Sequence, residues 1–157
     1  MNKEKLLSIE EIHDLRLANV GRHSDKAQLG MIQMLHSLMG YGAYDGYKIT
    51  TSEQEYLILI DNGQCCCESW GYFSSEDDFG NYIGKTLLNV SLTDKALNNK
   101  KVEESGYYEE CGGIQFVDFK FADGSVLQFA VYNAHNGYYG HPIIIAKDKE
   151  ILLQDTL

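Results

Sequence analysis

Two periodicities divide the chain. In the first 40 residues apolar positions recur at helical spacing, with Ile9, Ile12, Leu15 and Val20 on one face. Ser8-Ile9-Glu10-Glu11 has the form of a capping box, a serine N-cap with a glutamate three residues on. The pattern predicts one helix from Ser8 to about Gly21 and a second from Ser24-Asp25 to Gly40, the latter carrying Met31, Ile32, Leu35, Leu38 and Met39. After Gly40 the segments shorten, become β-branched or aromatic, and alternate with period two. Strands are predicted near 47–51, 56–61, 65–72, 86–93, 114–121, 126–133, 141–146 and 151–154. Asp61-Asn62-Gly63, Ala122-Asp123-Gly124 and Lys147-Asp148-Lys149 read as hairpin turns. Every second residue is apolar in Val117, Phe119, Phe121 and again in Leu127, Phe129, Val131, so one face of that hairpin is buried. Ser74-Ser75-Glu76-Asp77-Asp78-Phe79 can open a short helix, and 94–112 is the longest predicted loop. The expectation is an α+β domain spanning 1–157, with a helical part over 1–40 packed on a mainly antiparallel β-sheet over 41–157.

Length adds that one domain of 157 residues buries enough surface to fold without a staple, so any metal would act locally. The stretch from Met1 to Lys5 leads into an acidic, amphipathic run and not into a signal-peptide core, and no apolar run reaches the roughly 20 residues of a membrane span. A soluble protein of the cytoplasm is expected.

Charge changes the picture further. With 23 acids against 13 bases the formal net charge is −10. From Glu53 to Tyr82 there are seven acids and no Lys or Arg, and from Glu103 to Asp123 six acids stand against Lys120 alone. Such a surface repels nucleic-acid phosphates and is drawn to basic grooves, which argues against direct DNA or RNA binding and is compatible with occupying the nucleic-acid channel of another protein, ordinary solvated acidity being the alternative. Glu68, Glu76, Asp77 and Asp78 are the expected partner-binding residues.

The candidate chemistry lies in cysteine and histidine. "QCCCESWGYF" places Cys65, Cys66 and Cys67 side by side in a chain with four cysteines, and "AHNGYYGHP" separates His135 and His141 by five residues. Two thiolates with a His-x3–5-His pair is a zinc ligand pattern, although the cysteine half is tighter than the usual spacing. Strand parity would put Cys65 and Cys67 on one face; a bend after Asn62-Gly63 would admit Cys66, and Cys111 is a possible substitute. The competing reading is a set of buried thiols acting as small hydrophobes. A Cys–His nucleophile lacks a nucleophile turn, and its acidic setting disfavours thiolate; phosphate-loop, dinucleotide and metalloprotease signatures are absent as well. No catalytic residue is assigned.

Over residues 55–146, the blocks "QCCCESWGYF", "IGKTLLNVSL", "FKFADGSVLQF" and "YNAHNGYYGHPIII" resemble a domain family of phages and prophages of Gram-positive bacteria, marked by Cys66-Cys67-Glu68 and Asn136-Gly137-Tyr138-Tyr139. Within it, the chain is most similar to zinc-containing anti-CRISPR proteins of streptococcal phages that inhibit a type II-A Cas9. That resemblance implies a structural zinc and lends it Cys66 and Cys67, where strand parity lends Cys65 and Cys67; the expected ligands are Cys67, one of Cys65 and Cys66, His135 and His141. It also implies inhibition by binding: Cas9 holds its heteroduplex in a basic channel that an acidic protein can occupy. Sequestration of a small signalling nucleotide, or an interaction domain for an unrelated partner, are the alternatives. The first needs phosphate-facing bases, which are few in this chain, with lysines but no arginine after Arg22.

Overall fold

The computed structural model describes residues 3–16, 42–109, 111–148 and 150–157. Among the described residues nine strands form two antiparallel sheets: β1 (Leu6–Leu15), β2 (Tyr44–Thr51), β3 (Glu55–Asp61), β4 (Ser69–Ser74), β5 (Leu87–Thr93), β6 (Gly113–Phe121), β7 (Val126–Ala134), β8 (Pro142–Lys147) and β9 (Glu150–Thr156). The five-stranded sheet has the order β1-β2-β3-β8-β9 and the four-stranded sheet β4-β7-β6-β5. Among the described residues the one helix is α1 (Asn99–Ser105). The protein is therefore mostly β, a sandwich, and the expected α+β arrangement with N-terminal helices is corrected.

The correction turns on residues 6–15. Apolar residues three apart mimic a helix, but this segment is an edge strand paired with β2 and carrying two register shifts, between Leu6 and Ser8 and between Ile12 and Leu15. Each shift inserts a residue and reverses side-chain parity. Leu6 and Ile9 thereby both reach the core between the sheets, while Ile12 and Leu15 both reach the outer face of the five-stranded sheet. The second expected helix, over 24–40, lies outside the described residues.

The β-rich remainder follows the period-two pattern closely. β6 and β7 form the expected hairpin, with Val117 opposite Phe129 and Phe119 opposite Leu127. Gly124, at φ 88°, supplies its left-handed turn residue. Phe119, Phe129, Leu127 and Val131 meet Tyr47, Ile49, Ile58, Ile60, Ile143 and Ile145 of the other sheet in one core. The unbroken run Leu57-Ile58-Leu59-Ile60 is buried on both faces: Ile58 and Ile60 point between the sheets, and Leu57 and Leu59 join Tyr44, Ile144 and Ala146 on the outer side.

The segment 94–108, expected as a loop, instead contains α1 and covers the outer face of the four-stranded sheet. Asn98 caps the helix by accepting from the Lys100 amide, and Gly106 ends it in left-handed conformation. The Tyr132 hydroxyl donates to the Ser105 carbonyl at 3.0 Å, and Gln128 Nε2 donates to Lys95 O at 2.9 Å. Residues 76–78, expected to open a helix, are irregular and exposed.

β3 pairs with β8 in one sheet and β4 with β7 in the other, so the connections β3 to β4 and β7 to β8 both cross between sheets at the same end. Asp61-Asn62-Gly63, expected as a hairpin turn, begins the first crossover; residues 135–141 are the second. The cysteine run and the two histidines are thus neighbours by necessity.

Candidate functional site

The first crossover is organised around a buried carboxylate. Cys65, Cys66 and Cys67 precede β4 in irregular backbone, so the strand expected to begin at residue 65 begins at Ser69, and the parity argument pairing Cys65 with Cys67 loses its basis. Glu68 turns inward, its side chain at 0% exposure. Its Oε1 accepts from the Cys66 amide at 2.8 Å and from Gln64 Nε2 at 2.8 Å, and its Oε2 accepts from the Cys65 amide at 3.2 Å. The Oε2 atom also lies 2.9 Å from His141 Nε2. Burial by itself would raise this carboxyl, but the Cys66 amide, the His141 ring and the Cys65 amide outweigh it and hold the pKa down to about 2. Glu68, expected on the partner surface, is corrected to an internal anion that folds the cysteine loop around itself.

His141 completes the arrangement. It is 1% exposed, stacks on Trp70 with ring centroids 5.5 Å apart, and places Nδ1 2.5 Å from the Asp61 carbonyl. A carbonyl and an ionised carboxylate only accept, so each ring nitrogen of His141 faces an acceptor. His135, 8% exposed, uses Nδ1 differently: it accepts from the Gly137 amide at 3.0 Å and from the Tyr139 amide at 3.4 Å. This shapes the second crossover into a tight loop over its own histidine.

Of the expected zinc ligands, the structure brings Cys66 and Cys67 together, with their sulfurs 3.2 Å apart. Cys65 turns to the Gly63 carbonyl at 3.5 Å. Cys111 sits across the site beside the second crossover, its amide donating to the His135 carbonyl at 3.2 Å. There the backbone runs so close to β7 that a Cβ at Gly112 would fall 1.7 Å from the Asn133 carbonyl oxygen, which reserves the position for glycine.

The donor set does not fit a tetrahedral Cys2His2 zinc as placed. Both nitrogens of His141 face acceptors, and the lone pair of His135 Nδ1 is taken by amides. Two thiolates at about 2.3 Å from a tetrahedral zinc would stand about 3.8 Å apart, further than the pair stands here. Among the described residues no group of three His, Cys, Asp or Glu side chains is arranged to hold a metal ion.

Three residues that sequence reasoning missed join the site. Trp70 donates Nε1–H to Gln64 Oε1 at 2.7 Å, Gln64 also donates to the Glu68 carbonyl at 2.9 Å, and the Tyr139 hydroxyl contacts the Cys66 side chain, which raises the phenol above its ordinary value. The signal for the first two was their position flanking the cysteines; Tyr139 required knowing that the crossovers meet.

A second feature lies at the far side of β4. Glu76, Asp77 and Asp78 are exposed. Lys101 of α1 pairs with Asp77, and the charges of Asp77, Glu104 and Glu76 all bear on it. Two acid-rich stretches distant in sequence therefore meet through α1. The exposed Glu103 and Glu104 extend the patch, and Lys101, at 19% side-chain exposure, is largely sunk beneath it.

Residues 8–145 match the family described as a domain of unknown function, DUF7448, and the chain belongs to that family. Over 98 residues it is 30% identical to "Uncharacterized protein L278" of Acanthamoeba polyphaga mimivirus, covering 61% of this chain and 73% of that protein, so a relative is viral. No solved structure matches the chain significantly. No described helix is long and apolar enough to cross a membrane.

Proposed function

We propose that this DUF7448 protein is a phage-encoded, non-catalytic inhibitor that docks its acidic face on a basic, nucleic-acid-binding surface of a host defence protein. The partner suggested by the sequence resemblance is a type II-A Cas9 in the bacterial cytoplasm, whose target-DNA loading the protein would block. The observation that carries this reading is the meeting of two acidic stretches at Glu76, Asp77, Asp78, Glu103 and Glu104, with Lys101 mostly covered. Such a patch steers association with a basic partner and needs no turnover. At the cysteine loop His141 has both ring nitrogens in structural contacts and His135 has Nδ1 occupied by backbone amides, which agrees with a binding role. Zinc carries no part of this proposal.

The test is target cleavage by purified Cas9 and guide with increasing amounts of this protein. Inhibition should saturate near one protein per Cas9 and weaken as salt rises and the screening length falls from about 10 Å to about 3 Å. Undiminished cleavage by several Cas9 orthologues at large molar excess would overturn the reading in favour of small-molecule sequestration.

A further inference from the structure

We propose that Cys66 and Cys67 form a reversible redox site, in which the two neighbouring thiols close to a vicinal disulfide. Their sulfurs already lie 3.2 Å apart, both residues are exposed, and both sit in irregular backbone between strands. The other two thiols are turned elsewhere, Cys65 to the Gly63 carbonyl and Cys111 toward Gly137 of the opposite crossover. The proposal is independent of the partner reading above, since it concerns the other end of β4 and none of the acidic patch.

The step needs an oxidant, and a small-molecule disulfide such as oxidised glutathione supplies it. One thiolate of the pair attacks the oxidant, forming a mixed disulfide and releasing one glutathione thiolate; the neighbouring thiolate then attacks the protein sulfur and releases the second. Two thiols lose two protons and two electrons, and the oxidant becomes two glutathione thiols. Adjacent residues have Cα atoms about 3.8 Å apart across a trans peptide, short of the roughly 4.4–6.8 Å that relaxed disulfides span. The ring is therefore strained and readily reduced, which suits a switch and not a staple.

Closure has a defined consequence. The Cys66 amide is the shortest backbone donor to Glu68, at 2.8 Å, and forming an eight-membered ring reorients the peptide between Cys66 and Cys67 and its neighbours. Loosening that donor loosens Glu68, then His141, then Trp70, which stacks on His141 and donates to Gln64. Trp70 is the sole tryptophan in the chain, so its fluorescence reports the state of the loop directly.

The experiment titrates fully reduced protein with glutathione redox buffers of increasing potential. Reactive thiols should fall from four to two, peptide mapping should find the bond between Cys66 and Cys67 within one peptide, and Trp70 emission should shift in step and return on adding dithiothreitol. Cys66→Ser and Cys67→Ser should each abolish the shift, whereas Cys65→Ser and Cys111→Ser should keep it. A bond involving Cys65 or Cys111, only intermolecular disulfides, four thiols persisting at the most oxidising buffer, or thiols protected until zinc is chelated away would each overturn the proposal.

Discussion

Glu68 and Asp77 lie nine residues apart in one span that contains no basic residue, and the fold uses them in opposite ways. Glu68 is enclosed by two backbone amides, the Gln64 amide and the His141 ring, at 0% side-chain exposure. Asp77 is 88% exposed and meets Lys101 at the surface. The first carboxylate is a structural anion whose charge the loop is built to hold; the second belongs to a patch available to a partner. A count of acids along the chain cannot separate them. What does is whether the backbone turns its N–H groups toward the carboxylate, as it does where the chain leaves β3 and crosses to the other sheet.

The largest expected effect follows from opening the enclosed site. Glu68→Ala leaves His141 and the loop amides without their acceptor, and should cost about 3 kcal/mol in urea unfolding, as removing one member of a buried pair commonly does. A loss below about 0.5 kcal/mol would mean that the carboxylate is not an organising centre. Glu68→Gln keeps the shape and one acceptor oxygen, and should fall between wild type and alanine.

Acid titration sharpens the same contrast. The folded pKa of Glu68 is lowered from an ordinary 4.5 to about 2, so its contribution is fully present above 4.5 and is lost as pH falls toward 2. Wild-type stability should drop over that window by more than that of Glu68→Gln, which has no such group to protonate. Parallel curves for the two proteins would contradict the enclosed-anion assignment.

At the exposed site, reversing Glu76, Asp77 and Asp78 to lysine should leave the urea midpoint almost unmoved while slowing association with the proposed basic partner more than it speeds release. Equal folding loss and affinity loss would instead make these residues structural. The smallest effect is expected from Lys101→Ala. A surface ion pair contributes about 0–1 kcal/mol, so stability should change little; uncovering Asp77 should speed association with a basic partner, measured by stopped flow at low salt.

Much of the sandwich was legible in the sequence because period two is a local signature. Alternation at Val117–Phe121 and Leu127–Val131, with glycine in the turn, gave the β6–β7 hairpin and its inward face, and the strand expected near 56–61 is β3. The N-terminal segment was not legible. Its apolar spacing of three fits a helix as well as a strand with two bulges, and only pairing with β2 chooses between them.

At the site, composition by itself singled out Cys65–Cys67, His135 and His141 as a cluster, and the neighbouring crossovers do place them at one end of the molecule. What each side chain does there depended on tertiary structure. Whether Glu68 faces a partner or a histidine, and whether His141 keeps a free lone pair, is decided by the Asp61 carbonyl and the Cys65 and Cys66 amides. Residue types along the chain determine which chemistry is available; backbone groups, identical in every residue and invisible in the sequence, determine where their hydrogen bonds point once β3 pairs with β8 and β4 with β7.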